Sequence, residues 1–471
     1  MFGFYSPFLN ILEVVLVSAT IGVVSTTVGL VFLGMPRVES ISRTQLALAA
    51  PVGFASLALF ALFCRGLFGS IISDSVFQLS VISCIVVSIS LSILVYGKKL
   101  FESAFLRLFR NHLFSLSGLM ALYFVLSGAL KNGIYSLPLR NGSDHIGYIQ
   151  GAWFVLSDLF QAPNLDSGLS LMEMKSAILV PYDDRMLAYA ATAVASLFVF
   201  GQWQWSYMTI AAAVFGFLGN YYIAVARDRN KDSALLVLAV FLLSQVFDIL
   251  EMGYLGKGLF YLFAILVFGE LLSSKETKNH LLVLFGLILG GVYSTMASIL
   301  FITLFSACII FALAIMEKPF SSSTIFKASS RQELVLRKLG FLILGVLAST
   351  GWTRNFQNPI DLNFNPRSNY TPLEILGNSW DFSWWGAPGQ LGIIGFACLV
   401  LLLLGVATFT LLKLSSKDFT LVSSLIFCLA ISTLILLGDG SWATYQLVSF
   451  CSLVFLLAIS RGHGMLDNTN A

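Results

Sequence analysis

The chain has 471 residues, of which 57% are hydrophobic and 11% are charged, and its formal net charge is +3. Because about 25% of the residues in a soluble domain are charged, this composition excludes an ordinary soluble protein, and no block of like charges indicates a nucleic-acid partner. Apolar runs of about 18 residues or more recur, each long enough to cross a bilayer as a helix. The sequence therefore predicts an all-α fold: a polytopic transmembrane bundle of about 11–14 spans, forming a single transmembrane domain over residues 1–471.

The N-terminal region, residues 1–112, contains three apolar runs and then a basic segment. The runs cover residues 9–34, 45–64 and 76–96. The first run is too long for a cleaved signal peptide and lacks a basic segment before it, so we expect it to be a retained span. The segment YGKKLFESAFLRLFRNH that follows is basic, and short basic loops stay in the cytoplasm. A span over 113–130 then leads to a first extracytoplasmic loop, residues 131–186.

The middle of the chain contains six apolar stretches. They cover residues 187–201, 206–225, 234–249, 258–272, 281–297 and 300–316. The polar segments RDRNKD at 227–232 and SSKETKNH at 273–280 are expected to be cytoplasmic. In that case 187–225 makes only one net crossing, and one of its two pieces is expected to be re-entrant or interfacial.

The C-terminal part repeats the pattern of a basic segment, a span and a long polar loop. Residues 318–338 are basic and expected to be cytoplasmic, and a span at 339–352 leads to a second extracytoplasmic loop, residues 353–388. The C-terminal spans follow within residues 390–471. Both long loops are therefore predicted to open on the same side of the membrane, and each is expected to bear a short amphipathic helix.

The first loop contains the segment RNGSDHIGYIQGAW, which starts at Arg140. Asp144 and His145 are adjacent, and in a helix Asp144 and Tyr148 share a face. A carboxylate and an imidazole at the mouth of a membrane bundle are suited to acid–base chemistry. The alternative is structural, because Asp is also a typical helix-capping residue.

Further candidate side chains lie at the end of the first loop and in the second loop. Asp183 and Asp184 precede Arg185 at the start of an apolar run, where acids also cap a helix and complement its dipole. Oxygen-rich sites of this kind also bind metal together with phosphate. The second loop supplies two arginines suited to anions and two tryptophans suited to a sugar ring, although Trp is also common at membrane interfaces. These residues are Arg354, Arg367, Trp384 and Trp385.

No pattern in the sequence predicts a metal centre or another cofactor. Only four histidines occur, and three of them fall in segments expected to be cytoplasmic. The six cysteines all lie in apolar runs without CxxC spacing, which favours small buried side chains over metal or disulfide roles.

The segment Ser143 to Tyr148, together with a late outside loop containing Arg and Trp, resembles the GT-C superfamily of integral membrane glycosyltransferases. The resemblance is one of layout and covers residues 113–390. Members typically carry an acidic pair in the first loop and use polyprenyl-phosphate sugars at the outer face of the membrane. Here the loop comes after several spans rather than after the first, and His145 stands where a second acid is usual.

The resemblance implies roles for the candidate residues. Asp144 would be the general base with His145 beside it, and no metal would be needed for a monophosphate donor. Arg140, Arg185, Arg354 and Arg367 would neutralise the leaving phosphate, while Tyr148, Trp384 and Trp385 would contact substrate, with Asp183 and Asp184 as secondary acids. The partners would be a polyprenyl-phosphate-linked sugar donor and membrane lipids, and the location a bacterial cytoplasmic membrane with the site facing outward.

Two other classes of function remain open at this point. An O-antigen-type polymerase or ligase also has many spans, but depends on Arg and His rather than on Asp. A transporter or flippase of lipid-linked saccharides predicts ionisable residues or broken helices at the bilayer midplane, and the sequence has few such features.

Overall fold

The computed structural model describes the chain over twelve ranges and four single positions. These are residues 7–33, 42–68, 74–100, 118–132, 144–156, 186–199, 206–229, 233–242, 246–251, 255–271, 278–291 and 325–348, and positions 453, 456, 457 and 460. The second predicted loop, 353–388, and most of the predicted spans within 390–471 lie outside the described residues.

Within the described ranges every regular element is a helix, as the sequence predicted, and none is a strand. In chain order the helices are α1 Pro7–Leu33, α2 Arg43–Phe68, α3 Asp74–Leu100, α4 Gly118–Asn132, α5 Asp144–Leu156, α6 Met186–Ser196, α7 Ser206–Arg229, α8 Ser233–Leu242, α9 Val246–Glu251, α10 Leu255–Leu271, α11 Asn279–Gly291 and α12 Ile325–Ala348.

Three of these helices contain a segment long and apolar enough to cross a membrane. The segments are Ile11–Leu33, Arg43–Cys64 and Ser206–Asp228. Shorter apolar helices occupy Gln78–Leu91, Leu187–Ser196 and Asn279–Gly290. On α3, exposed side chains such as Leu79, Val86 and Leu94 form an apolar surface. Such a surface suits lipid better than water, which agrees with the predicted membrane character.

Helices α1 and α2 form an antiparallel hairpin whose backbones touch. A Cβ at Gly29 would overlap the carbonyl oxygen of Ala49, and a Cβ at Gly53 would overlap that of Ser25. Only glycine allows this approach, which is the usual role of small residues between membrane helices.

The centre of the bundle is α7, whose side chains are buried from Ser206 to Ala226. Aromatic rings of α4, α8 and α9 pack against it: Phe124 and Phe241 lie 5.6 and 4.8 Å from Phe215, measured between ring centroids. Near the end of the chain, positions 453, 456, 457 and 460 are helical and buried, and this spacing is one face of a helix. The hydroxyl of Tyr222 donates to the Leu453 carbonyl at 2.8 Å, which joins this face to α7.

Polar contacts join several helices at one end of the bundle, which we call the basic end. Asp228, near the end of α7, accepts hydrogen bonds from the amide and hydroxyl of Thr44 in the first turn of α2, at 3.0 and 2.6 Å. Lys278 and His280, at the start of α11, contact the carbonyls of Leu33 and Phe32 at the end of α1. The basic end therefore contains described residues of two segments that the sequence predicted to be cytoplasmic, 227–232 and 273–280.

The other end, which we call the tyrosine end, is marked by Tyr148, Tyr189 and Tyr207. Tyr148 is in α5, and its ring centroid lies 5.8 Å from that of Tyr189 and 5.8 Å from that of Tyr207. Tyr207 is in the first turn of α7 and Asp228 near its last. Since α7 has 24 residues, about 36 Å of helix separates the two ends of the bundle.

Helices α6 and α7 occupy the stretch 187–225, which the sequence predicted to make one net crossing. Tyr189 of α6 and Tyr207 of α7 both contact Tyr148, so both helices begin at the tyrosine end. The 11 residues of α6 span only about 16 Å, roughly half a bilayer core. A short α6 is compatible with the expected re-entrant or interfacial piece, which stays a prediction.

Two further stretches of the sequence can be compared with the structure. Within the apolar stretch 234–249, residues 234–242 belong to α8 and 246–249 to α9, and residues 243–245 lie outside the described residues. Helix α12 begins at Ile325, before the span predicted over 339–352, so part of the basic segment 318–338 is helical. The segment 325–339 contains no Gly or Pro and many good helix formers, so the helix extends well before the apolar part.

Candidate functional site

Helix α5 begins at Asp144, so the backbone of Asp144 and His145 forms its first turn. The polar residues Asn141 and Ser143 just before it are typical helix-starting residues. Asp144 and Tyr148 are four residues apart in this helix and share a face, as predicted. The side chains of Asp144 and His145 lie outside the described part of the structure.

Tyr148 is buried and joins α5 to the start of α10. Only 2% of its side chain is exposed, and its hydroxyl oxygen accepts a hydrogen bond from the amide of Gly256 at 3.1 Å. The amides of a helix's first turn have no partner within the helix, so Tyr148 satisfies one of these donors in α10. Tyr148 was predicted to contact substrate; in the structure it anchors the helix that begins at Asp144.

A second close contact fixes α5 against α6. A Cβ at Gly151 would overlap the ring of Tyr189, so the glycine lets the two helices approach. The side chains of Ala152 and Val155 on α5 are also fully buried. Helix α5 is therefore packed against the bundle from Tyr148 onward, directly after the turn that contains Asp144.

The tyrosine end also includes the first turns of α7 and α10 and the end of α9. The hydroxyl of Tyr207 donates to the carbonyl of Leu250 at 2.8 Å. The side chain of Leu250 in turn packs against Gly258 of α10. Four helices thus meet around Tyr148, within about one helical turn of the Asp144 backbone.

One charged residue at the tyrosine end was not among the site residues predicted from the sequence. Lys257, the third residue of α10, is only 6% exposed. The signal that marks it is the sequence Gly-Lys-Gly directly before the apolar run 259–268. Lysine is almost never so buried in a protein unless it is paired.

The other predicted site residues lie outside the described residues. They are Arg140, Asp183, Asp184, Arg185, Arg354, Arg367, Trp384 and Trp385. The structure does describe Met186, the residue after Arg185, as the first residue of α6. Helix α6 begins at the tyrosine end, as does the packed part of α5 at Tyr148.

Within the described part of the chain, no group of three or more His, Cys, Asp or Glu side chains is arranged to hold a metal ion. Comparisons of the whole chain with protein-family models, with characterised proteins and with solved structures find no match.

Proposed function

We propose that this protein is a membrane glycosyltransferase that moves a sugar from a polyprenyl-phosphate-linked donor to a glycan, lipid or protein acceptor at the extracytoplasmic face. The observation that supports the proposal most strongly is the anchoring of α5. Its first residue is Asp144, and Tyr148 one turn later is bonded to Gly256 at the end of the bundle opposite the basic end. A catalytic carboxylate needs this kind of rigid support.

The proposed orientation of the bundle in the membrane follows from its segments rich in Lys and Arg. Short segments rich in Lys and Arg stay in the cytoplasm, and the segments around Arg227, Lys278 and Arg337 belong to the basic end. The tyrosine end is then extracytoplasmic. This is where lipid-linked sugars that have been flipped across the membrane would be consumed.

In the proposed reaction Asp144 removes the proton from the acceptor hydroxyl. The hydroxyl oxygen then forms a bond to the anomeric carbon, and the bond from that carbon to the phosphate oxygen breaks. Polyprenyl phosphate leaves with the electron pair, and its charge is neutralised by arginines drawn from Arg140, Arg185, Arg354 and Arg367. His145 lies beside the base, and Trp384 and Trp385 are proposed to stack on the sugar.

The test measures sugar transfer by the purified full chain in lipid nanodiscs, with a panel of polyprenyl-phosphate-linked sugars as donors. The readout is the release of polyprenyl phosphate. Because a general base contributes about 10²- to 10⁴-fold to a rate, Asp144→Ala is expected to lower kcat by that factor. The matched control is Asp228→Asn, which removes the charge of an acid at the basic end but keeps an oxygen that can accept from Thr44. The control should keep its transfer rate. Unimpaired transfer by Asp144→Ala would refute the assignment of the base.

A further inference from the structure

The two glycines of α5 have different surroundings. A Cβ at Gly151 would overlap the ring of Tyr189, whereas a Cβ at Gly147 would meet no atom within 4 Å. The two positions are four residues apart and share one face of the helix. This face of α5 is therefore covered by α6 at Gly151 and open one turn earlier, at Gly147.

Packing explains the glycine at 151 but not the glycine at 147. Glycine in a helix costs about 1 kcal/mol relative to alanine, and at Gly151 the close approach of α6 requires it. At Gly147 alanine would fit the structure without a contact. Gly340 on α12 also has nothing around its Cβ, but it is exposed, whereas Gly147 is partly buried. A partly buried backbone left bare beside open space suits the close approach of a ligand.

The open space at Gly147 lies next to the proposed general base. Gly147 is three residues after Asp144 in the first turn of α5, so the two positions are neighbours on the helix surface. The Cα–Cβ bond of a helical residue tilts toward the helix N-terminus, so a side chain at 147 would lean toward the turn that begins at Asp144. The next residue, Tyr148, accepts from the amide of Gly256 and fixes the helix directly after this turn.

We propose that the sugar of the lipid-linked donor packs against Gly147, and that the bare backbone there sets how large a sugar the site accepts. This inference rests on the proposed function and adds a specificity-determining residue to it. In the proposed reaction the anomeric carbon comes within about 3.5 Å of the hydroxyl oxygen that Asp144 deprotonates, so the donor sugar lies close to Asp144. Gly147 is on the side of Asp144 that leads into the packed part of α5, and a donor held in the membrane by its lipid reaches Asp144 from the side of the bundle.

The test measures binding of probes with and without a sugar to the full chain in phosphatidylcholine nanodiscs. The probes are undecaprenyl phosphate and its glucose, mannose and N-acetylglucosamine esters. The wild-type chain should bind at least one of the three esters more tightly than undecaprenyl phosphate. Gly147→Leu should raise the Kd for that ester by at least about tenfold, the scale of one misfitted hydrocarbon group in a pocket. It should leave the Kd for undecaprenyl phosphate unchanged.

The matched control is Gly340→Leu, the same change at the exposed glycine of α12, and it should keep every Kd. Neither variant should lower the melting temperature, because leucine is a better helix former than glycine. Gly147→Met, with an unbranched side chain, covers the case in which Gly147→Leu does not fold. A folded Gly147→Leu or Gly147→Met chain with the wild-type Kd for the ester overturns the inference. A wild-type chain that binds no ester more tightly than undecaprenyl phosphate contradicts the proposed donor itself, and the inference fails with it.

Discussion

At the residue scale, the phenol of Tyr148 connects three helices. Its ring lies against Tyr189 of α6 and Tyr207 of α7, and its hydroxyl accepts from Gly256 of α10. If the helix that starts at Asp144 carries the general base, Tyr148 is what holds that base in position. The contacts of Tyr148 therefore suit a positioning role, and its predicted contact with substrate stays a prediction.

Removing only the hydroxyl of Tyr148 tests this role. Tyr148→Phe keeps the ring contacts but leaves the buried Gly256 amide without that acceptor, which costs about 1–3 kcal/mol of unfolding free energy. The measurement is unfolding in mixed detergent micelles, together with transfer rate. The matched control for stability is Gly147→Ala in the same helix, where an added methyl meets nothing within 4 Å. Equal stability of Tyr148→Phe and the wild-type chain would show that the hydrogen bond does not anchor α5.

The sequence offered a helix start near Asp144 as one interpretation, because capping residues are a local signal. The hydrogen bond between Gly256 and Tyr148 could not be predicted from the sequence, because the two residues lie 108 positions apart in the chain. Lys257 was overlooked for a related reason. A single lysine next to an apolar run is read as the edge of a span, and only the packing of α10 reveals that it is buried.

At the element scale, glycines set how closely helices approach. Helices α11 and α12 run parallel, with Asn279 near Arg337 and Gly286 near Gly345. A Cβ at Gly345 would overlap the carbonyl of Val283 and lie 2.9 Å from the Cα of Gly286. The parallel arrangement agrees with the expectation that the spans at 281–297 and 339–352 both start from the basic side.

Helix α12 offers a matched pair of substitutions that should change stability in opposite directions. Gly340→Ala adds a methyl with nothing within 4 Å, and it should stabilise the helix by up to about 1 kcal/mol because alanine is the better helix former. Gly345→Ala forces α11 and α12 apart and should lower the melting temperature in detergent. A Gly345→Ala chain as stable as Gly340→Ala would contradict the packing of these helices.

The lengths of the elements could be predicted only where apolar runs have polar limits. The predictions for α1 and α2, 9–34 and 45–64, begin within two residues of the observed starts, Pro7 and Arg43. The start of α12 could not be predicted from hydropathy, because the part from Ile325 to Lys338 is basic and the apolar run that predicted a span begins only at 339.

At the scale of the whole molecule, the account depends on the bundle having two different ends. Charge asymmetry predicted two sides from the sequence, and the structure places the contacts of Asp228 and Lys278 at one end and those of Tyr148 at the other. The helices that meet around Tyr148 come from segments far apart in sequence. Their convergence depends on long-range packing, which hydropathy does not encode.

The most direct test is the sidedness of single cysteines in a chain whose six native cysteines are replaced. Ser143→Cys precedes the Asp144 helix, Asn230→Cys follows α7, and Ser383→Cys lies beside Trp384. A membrane-impermeant maleimide should label positions 143 and 383 on intact cells, and position 230 only after permeabilisation. Labelling of 143 and 230 from the same side, or of 143 and 383 from opposite sides, would contradict the account.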